Sequence, residues 1–153
     1  MKALTRMQLC KWCVASALAF GVALAPAQAP AVEVPVFLGD VGVGKQTSEV
    51  RAQLRSLLNA ELSATNFAQV RTHERFVLSA TLVRLDSVVA SDSVRATCVV
   101  SVALLRDHGA TLHAVISGRA TAEEPKAHAL EAQTDALRAA VHSAITRVPQ
   151  ALR

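Results

Sequence analysis

The stretch VRATCVVSVALLRDHGATLHAVISGRA, Val94 to Ala120, limits the fold more than any other part of the chain. Val94, Ala96, Cys98, Val100, Val102 and Leu104 carry even numbers, and so do Leu112, Ala114, Ile116, Gly118 and Ala120. Successive strand side chains point to opposite faces, so each run reads as a strand with one apolar face. Antiparallel partners have a constant sum of residue numbers. For both even sets to share a side, that sum must be even and the connecting loop must hold an odd number of residues. Asp107-His108-Gly109 supplies such a loop, with glycine at the position that needs a left-handed backbone. The expected register pairs Arg106 with Ala110 and Leu104 with Leu112, and sets Cys98 opposite Gly118.

The remaining elements follow from the same two periods. Val32, Val34, Val36 and Leu38 alternate and predict a first strand over Val32 to Leu38. Val50, Leu54, Leu57, Leu58 and Leu62 then form a helical stripe. Thr47 or Ser48 can cap that helix, Glu49 suits its dipole, and Ser63 to Asn66 ends it. A short strand is expected over Phe67 to Arg71, and a longer one from near Arg75 with Phe76, Leu78, Ala80 and Leu82 inward. Ser87 to Ser93 reads as a polar connection. After the hairpin, Glu123, Glu124 and Pro125 open a final helix. Its stripe is Leu130, Leu137, Val141, Ile145 and Val148, and Pro149 stops it. The order β-α-β-β-β-β-α predicts an α+β domain. Its mixed, mostly antiparallel sheet of four or five strands carries two amphipathic helices mainly on one face.

The first 29 residues read as a secretory signal. Lys2, Arg6 and Lys11 precede the uncharged run Val14 to Ala25, and small residues prepare cleavage after Ala27 or Ala29. As a helix that run reaches about 18 Å, short of the ~30 Å hydrocarbon slab, so no stable membrane anchor is expected after cleavage. Cys10 and Cys13 precede the apolar run, whereas a lipid-attachment cysteine would follow it. The expectation is a periplasmic or secreted protein whose single domain spans residues 30–153. The leader takes three basic residues and no acid with it, so the net charge falls from +4 to +1 and the basic character of the whole chain does not point to nucleic acid. The domain has no tyrosine or tryptophan, only Phe37, Phe67 and Phe76, and so lacks the stacking platforms of single-strand binders. Cys98 is its one cysteine, which leaves no internal disulfide.

The strand, helix, F-x-x-V, RFVLSATLVRLD and long hairpin closed by a helix resemble the small α/β domain of bacterial envelope proteins of the TolB amino-terminal, CsgG and LpoB type. The resemblance covers most of residues 32–150. Phe76 stands where that type usually has tyrosine, and Ala80 where it has glycine. The likeness implies non-enzymatic work, docking onto an envelope machine or oligomerising, and assigns no individual site residue.

Candidate sites are few. GDVGVGKQT, Gly39 to Thr47, approaches a phosphate-binding loop, but Gln46 occupies the position of the metal-binding hydroxyl. Strand-helix alternation also stops after one crossover, which does not suit a nucleotide-binding sheet. The remaining reading is a glycine turn before a helix, with Gly42, Gly44 and Lys45 as a weak anion candidate. Among His73, His108, His113, His128 and His142 no pair has i, i+4 spacing, so no metal is expected. Cys98 sits on the apolar face and reads as a small core hydrophobe. No cofactor and no catalytic residue is expected. The other face of the sheet is small, β-branched and nearly uncharged, with Val77, Val99, Val115, His113 and Arg119 along it. It reads either as a wet sheet face of ordinary strand composition or as a surface for a partner protein or a second copy. The function expected is that of a non-enzymatic binding or assembly module of the cell envelope. The alternatives are a subunit of an oligomeric secretion or pore assembly, and a phosphate- or nucleotide-binding protein using residues 39–45.

Overall fold

Residues 35–70 and 72–153 are described by the structure, a computed structural model. The expected leader and the first three residues of the first expected strand lie outside them. Four strands, β1 (Val36–Gly42), β2 (Phe76–Val89), β3 (Ser93–Arg106) and β4 (Leu112–Pro125), form one sheet in the order β1-β2-β3-β4. β1 is parallel to β2, and the other neighbours are antiparallel. A parallel pair needs a crossover, and helix α1 (Ser48–Ala64) provides it. Helix α2 (Ala129–Ile145) follows β4 through a short 3-10 turn at Lys126–His128, and a four-residue helix α3 (Val148–Ala151) closes the chain. The fold is α+β with a mixed sheet, in the order β-α-β-β-β-α.

Local chemistry sets the ends of α1. The Thr47 hydroxyl accepts from the Val50 amide at 3.5 Å, and the Thr65 amide donates back to Leu62 at 3.2 Å. Leu54, Leu58 and Leu62 are buried from its stripe. The core joins them to Phe76, Leu78, Val100 and Leu104 of the sheet and to Leu137 and Val141 of α2. No polar side chain among the described residues is buried. Helices α1 and α2 are tied side by side by Gln53 Nε2 to Thr134 Oγ1 at 3.3 Å and by His142 Nδ1 with Glu61 Oε2 at 2.9 Å.

Four expectations are corrected. The short strand over Phe67 to Arg71 is absent in its described part. The Val70 amide turns back to the Phe67 carbonyl at 2.9 Å, and the Asn66 side chain captures the Ala68 amide at 2.8 Å. Side-chain capture of a nearby amide favours a turn over a ladder. Phe67 is nevertheless buried, so its apolar character serves the core from a turn.

Second, the expected polar connection from Ser87 is largely strand. β2 runs to Val89, and a two-residue turn at Ser91 and Asp92 is closed by the Ala90 amide on the Ser93 carbonyl at 2.8 Å. A bulge between Leu82 and Arg84 hides this in the sequence. Before it even residues face the helices. Beyond it Leu85, Ser87 and Val89 oppose the buried Cys98, Ala96 and Val94, so odd residues take that side.

Third, the β3–β4 register is displaced by two. Cys98 pairs with Ala120, Val100 with Gly118 and Leu104 with Ala114, so the pair sum stays even and the core faces are the expected ones. The reason lies in the loop. Gly109 (φ +95°) and Ala110 (φ +50°) are both left-handed, so Ala110 cannot sit extended opposite Arg106. The Arg106 amide bonds the Thr111 carbonyl instead, at 2.9 Å. Because Leu105 pairs with Leu112 while Leu104 pairs with Ala114, His113 is the extra residue of a bulge.

Fourth, Pro125 ends β4 instead of lying in α2, and Leu130 is 78% exposed. Leu130 has the right direction on the helical wheel, but periodicity gives direction only and not how far the sheet reaches. The face that meets the sheet is lined by Ala132, Ala136, Ala140 and Ala144, all fully buried. Pro149 does not end helical structure here, since it opens α3.

Cys98 has no exposed surface, and burial pushes its thiol from the ordinary 9.0 up to about 11. The folded chain therefore keeps a proton that the unfolded chain loses first. Between those two values stability falls with rising pH by about 1.4 kcal/mol per unit. Urea titrations at roughly pH 8 and pH 11 check this, because Cys98→Ala flattens that part of the profile.

Candidate interaction surface

The glycine loop is built as a turn. Gly39 and Gly42 belong to β1, where Gly42 pairs with Thr81. Gly44 has φ +55°, which suits a residue without Cβ. The Gln46 amide donates to the Val43 carbonyl at 3.0 Å, so one amide that a phosphate cradle would need is already used. Lys45 is exposed, and the loop faces Leu82 to Asp86 across an open cleft of about 350 Å³. Among the described residues no group of three or more His, Cys, Asp or Glu lies close enough to hold a metal ion.

The face of the sheet away from the helices is the larger feature. Both helices contribute to the one core on the other side, so side chains here meet solvent. Cross-strand register orders them in rows. At one end Phe37, Val77, Leu105 and Leu112 form a row across all four strands. The next row holds Ser79, Ala103 and Val115, and then come Thr81, Ser101 and Ser117. Arg84, Val99 and Arg119 follow. The apolar end is open: Phe37 is 47%, Leu112 57% and Val115 58% exposed. The Arg75 guanidinium lies 5.8 Å from the centre of the Phe37 ring, within cation–π range. The charged end carries ion pairs. Arg84 pairs with Asp86, and the Ser93 hydroxyl and Arg95 guanidinium hold the Glu123 carboxyl below its ordinary range.

Of the surface residues named from sequence, Val77, Val99, Val115 and Arg119 lie on this face, and His113 does not. The bulge turns His113 toward the helices. Its ring meets the buried Phe76 ring at 5.0 Å between centroids, and Nε2 lies 3.0 Å from the Ala151 carbonyl oxygen. Leu112 makes the opposite change. Its even number predicted the core, yet it stands beside Leu105 on the open side. Phe37, Leu105 and Leu112 are thus the residues that sequence reasoning missed. The signal present was the second leucine of ALLR, which breaks the alternation where the bulge begins.

No protein-family model and no curated protein matches the chain. A solved structure shares its fold. A minor lipoprotein from Acinetobacter baumannii superposes with a TM-score of 0.50 at 10% identity, covering 76% of this chain and 92% of that one. A Xanthomonas campestris protein of the DUF330 family model gives 0.47 at 14% identity, with 76% and 82% covered. A candidate lipoprotein from Caulobacter crescentus gives 0.46 at 15%, with 73% and 86% covered. At such identities the likeness concerns the fold. Among the described residues no helix is long and apolar enough to cross a membrane.

Proposed function

We propose that this chain is a non-enzymatic binding or assembly module of the bacterial cell envelope, exported by its amino-terminal signal and acting through protein–protein contacts. The observation that carries the reading is the open sheet face, with an apolar row at Phe37, Val77, Leu105 and Leu112 whose two ends, Phe37 and Leu112, are exposed. Exposed apolar groups that share a face mark interaction sites in soluble domains. The lipoprotein named for the Acinetobacter structure supports an envelope setting, as does the resemblance to the TolB, CsgG and LpoB type. The work of such a module is to present a rigid surface.

The test is crosslinking in intact cells, followed by mass identification of what is joined to the chain. Val99→Asp and Val115→Asp place charge on the face; stability should change by no more than ~0.5 kcal/mol at exposed Val115 and fall by about 1 kcal/mol at half-buried Val99 on a central strand. Loss of the crosslinked partner in both variants supports the reading. Unchanged capture in both removes it.

A further inference from the structure

β1 covers only part of β2. Its pairing ends with Gly42 on Thr81, while β2 continues to Val89. From Val83 to Val89 the side of β2 away from β3 pairs with no described strand. Which backbone groups face that side follows from the hairpin. The Ala90 amide bonds the Ser93 carbonyl, which makes Ala90 and Ser93 a hydrogen-bonded pair. Such pairs alternate with non-bonded ones along an antiparallel ladder. Val89, Ser87 and Leu85 are then non-bonded partners of Val94, Ala96 and Cys98. Their N–H and C=O groups point outward, to the free edge.

The edge is also apolar. Val83, Val88 and Val89 are 62%, 67% and 57% exposed. Unpaired strand edges of this kind are templates for another strand unless charge or proline guards them. The charges present, Arg84 and Asp86, have opposite signs, stand two residues apart, and share the open face. That spacing selects one arrangement. Antiparallel pairing of two copies about Leu85 sets each Arg84 opposite Asp86 of the second copy, and Leu85 opposite its equivalent. Parallel in-register pairing would set like charges against each other, and antiparallel pairing about Asp86 would oppose the two aspartates. The cleft beside the glycine loop, about 350 Å³, lies along Leu82 to Asp86 where the added strand would run.

We infer that the free edge of β2 binds a second copy of this chain, by two-fold antiparallel pairing of Val83–Ser87 centred on Leu85. This goes beyond the open-face reading, because it uses the strand edge and its backbone groups. A two-fold contact of this kind closes on itself and gives a dimer.

Sedimentation equilibrium on the full chain at concentrations up to roughly 100 µM tests it. The wild type is expected to dimerise. Ser87→Pro removes an N–H that β3 does not use, so the monomer keeps its fold by circular dichroism while dimer affinity falls roughly tenfold or more. Arg84→Asp and Asp86→Arg each put like charges opposite one another and weaken the dimer by a similar factor. The double variant carrying both changes restores complementarity and returns affinity to within roughly threefold of wild type. Val115→Asp, on the open face, leaves the dimer unchanged, so the two surfaces fail independently. A monomeric wild type overturns the inference. So does a dimer untouched by Ser87→Pro, or a swapped variant no tighter than its single parents.

Discussion

Replacing Gly118 with valine is expected to lower stability by about 3 kcal/mol or more, the upper range for overpacking a rigid contact. The reason is distance. A Cβ added at Gly118 would stand 2.0 Å from the Ala140 carbonyl oxygen and 2.9 Å from Ala144 Cβ and its amide nitrogen. Two of those three atoms are helix backbone, which cannot rotate aside as a long side chain can. α2 must lift from β4, and the alanine face that touches the sheet goes with it. Gly118→Ala already carries the clashing atom, so it should be destabilising too, in contrast to most glycine-to-alanine changes in strands. Ser117→Val, one residue away on the exposed face, is the control and should stay within ~0.5 kcal/mol. Urea denaturation of the three variants separates a helix–sheet clash from a general intolerance of β4.

The second large effect lies on the helix side of the same layer. Leu137→Ala should cost about 3 kcal/mol, within the 2–5 kcal/mol range for leucine truncation in a packed core. Leu137 has no exposed surface, and α2 is the helix that covers β3 and β4. Leu130→Ala is the informative comparison. It belongs to the same sequence stripe but is 78% exposed, so its loss should change stability by ~0.5 kcal/mol or less. Equal costs for the two leucines would mean that α2 sits differently from the arrangement described above.

Much of this architecture is legible in the sequence because one layer of helices covers one face of one sheet. Alternation over Val94 to Leu104 leaves a single assignment, and all six even residues are buried. The stripe of α1 and its Thr47 cap are equally local, and they stand where the periodicity put them. The errors of facing within the sheet share a cause. Each bulge adds a residue to one strand and reverses the face of everything beyond it. At Val83 this disguised the end of β2 as a connection. At His113 it exchanged the sides of two neighbours, sending the imidazole to Phe76 and leaving Leu112 in the open. Bulges are set by the fit between twisted strands and what packs over them, and alternation alone does not record that fit. The candidate surface was therefore legible at Val77, Val99 and Val115, and illegible at Phe37, Leu105 and Leu112, the rest of its most apolar row. Phe37 could not be added to it without knowing that β1 lies parallel to β2 in register with Val77.

That parallel pairing sets an order of assembly in time no less than in space, because β2, β3 and β4 are joined by turns and their pairing can start between residues only a few positions apart. Val36 must instead find Phe76, forty residues downstream, with a whole helix between them. Closing the longer loop costs more chain entropy before any contact rewards it. The amino-terminal strand and its crossover are thus expected to settle last, onto a meander that has already taken shape. A chain that emerges from synthesis or transport with that end first must hold it unpaired until the rest arrives.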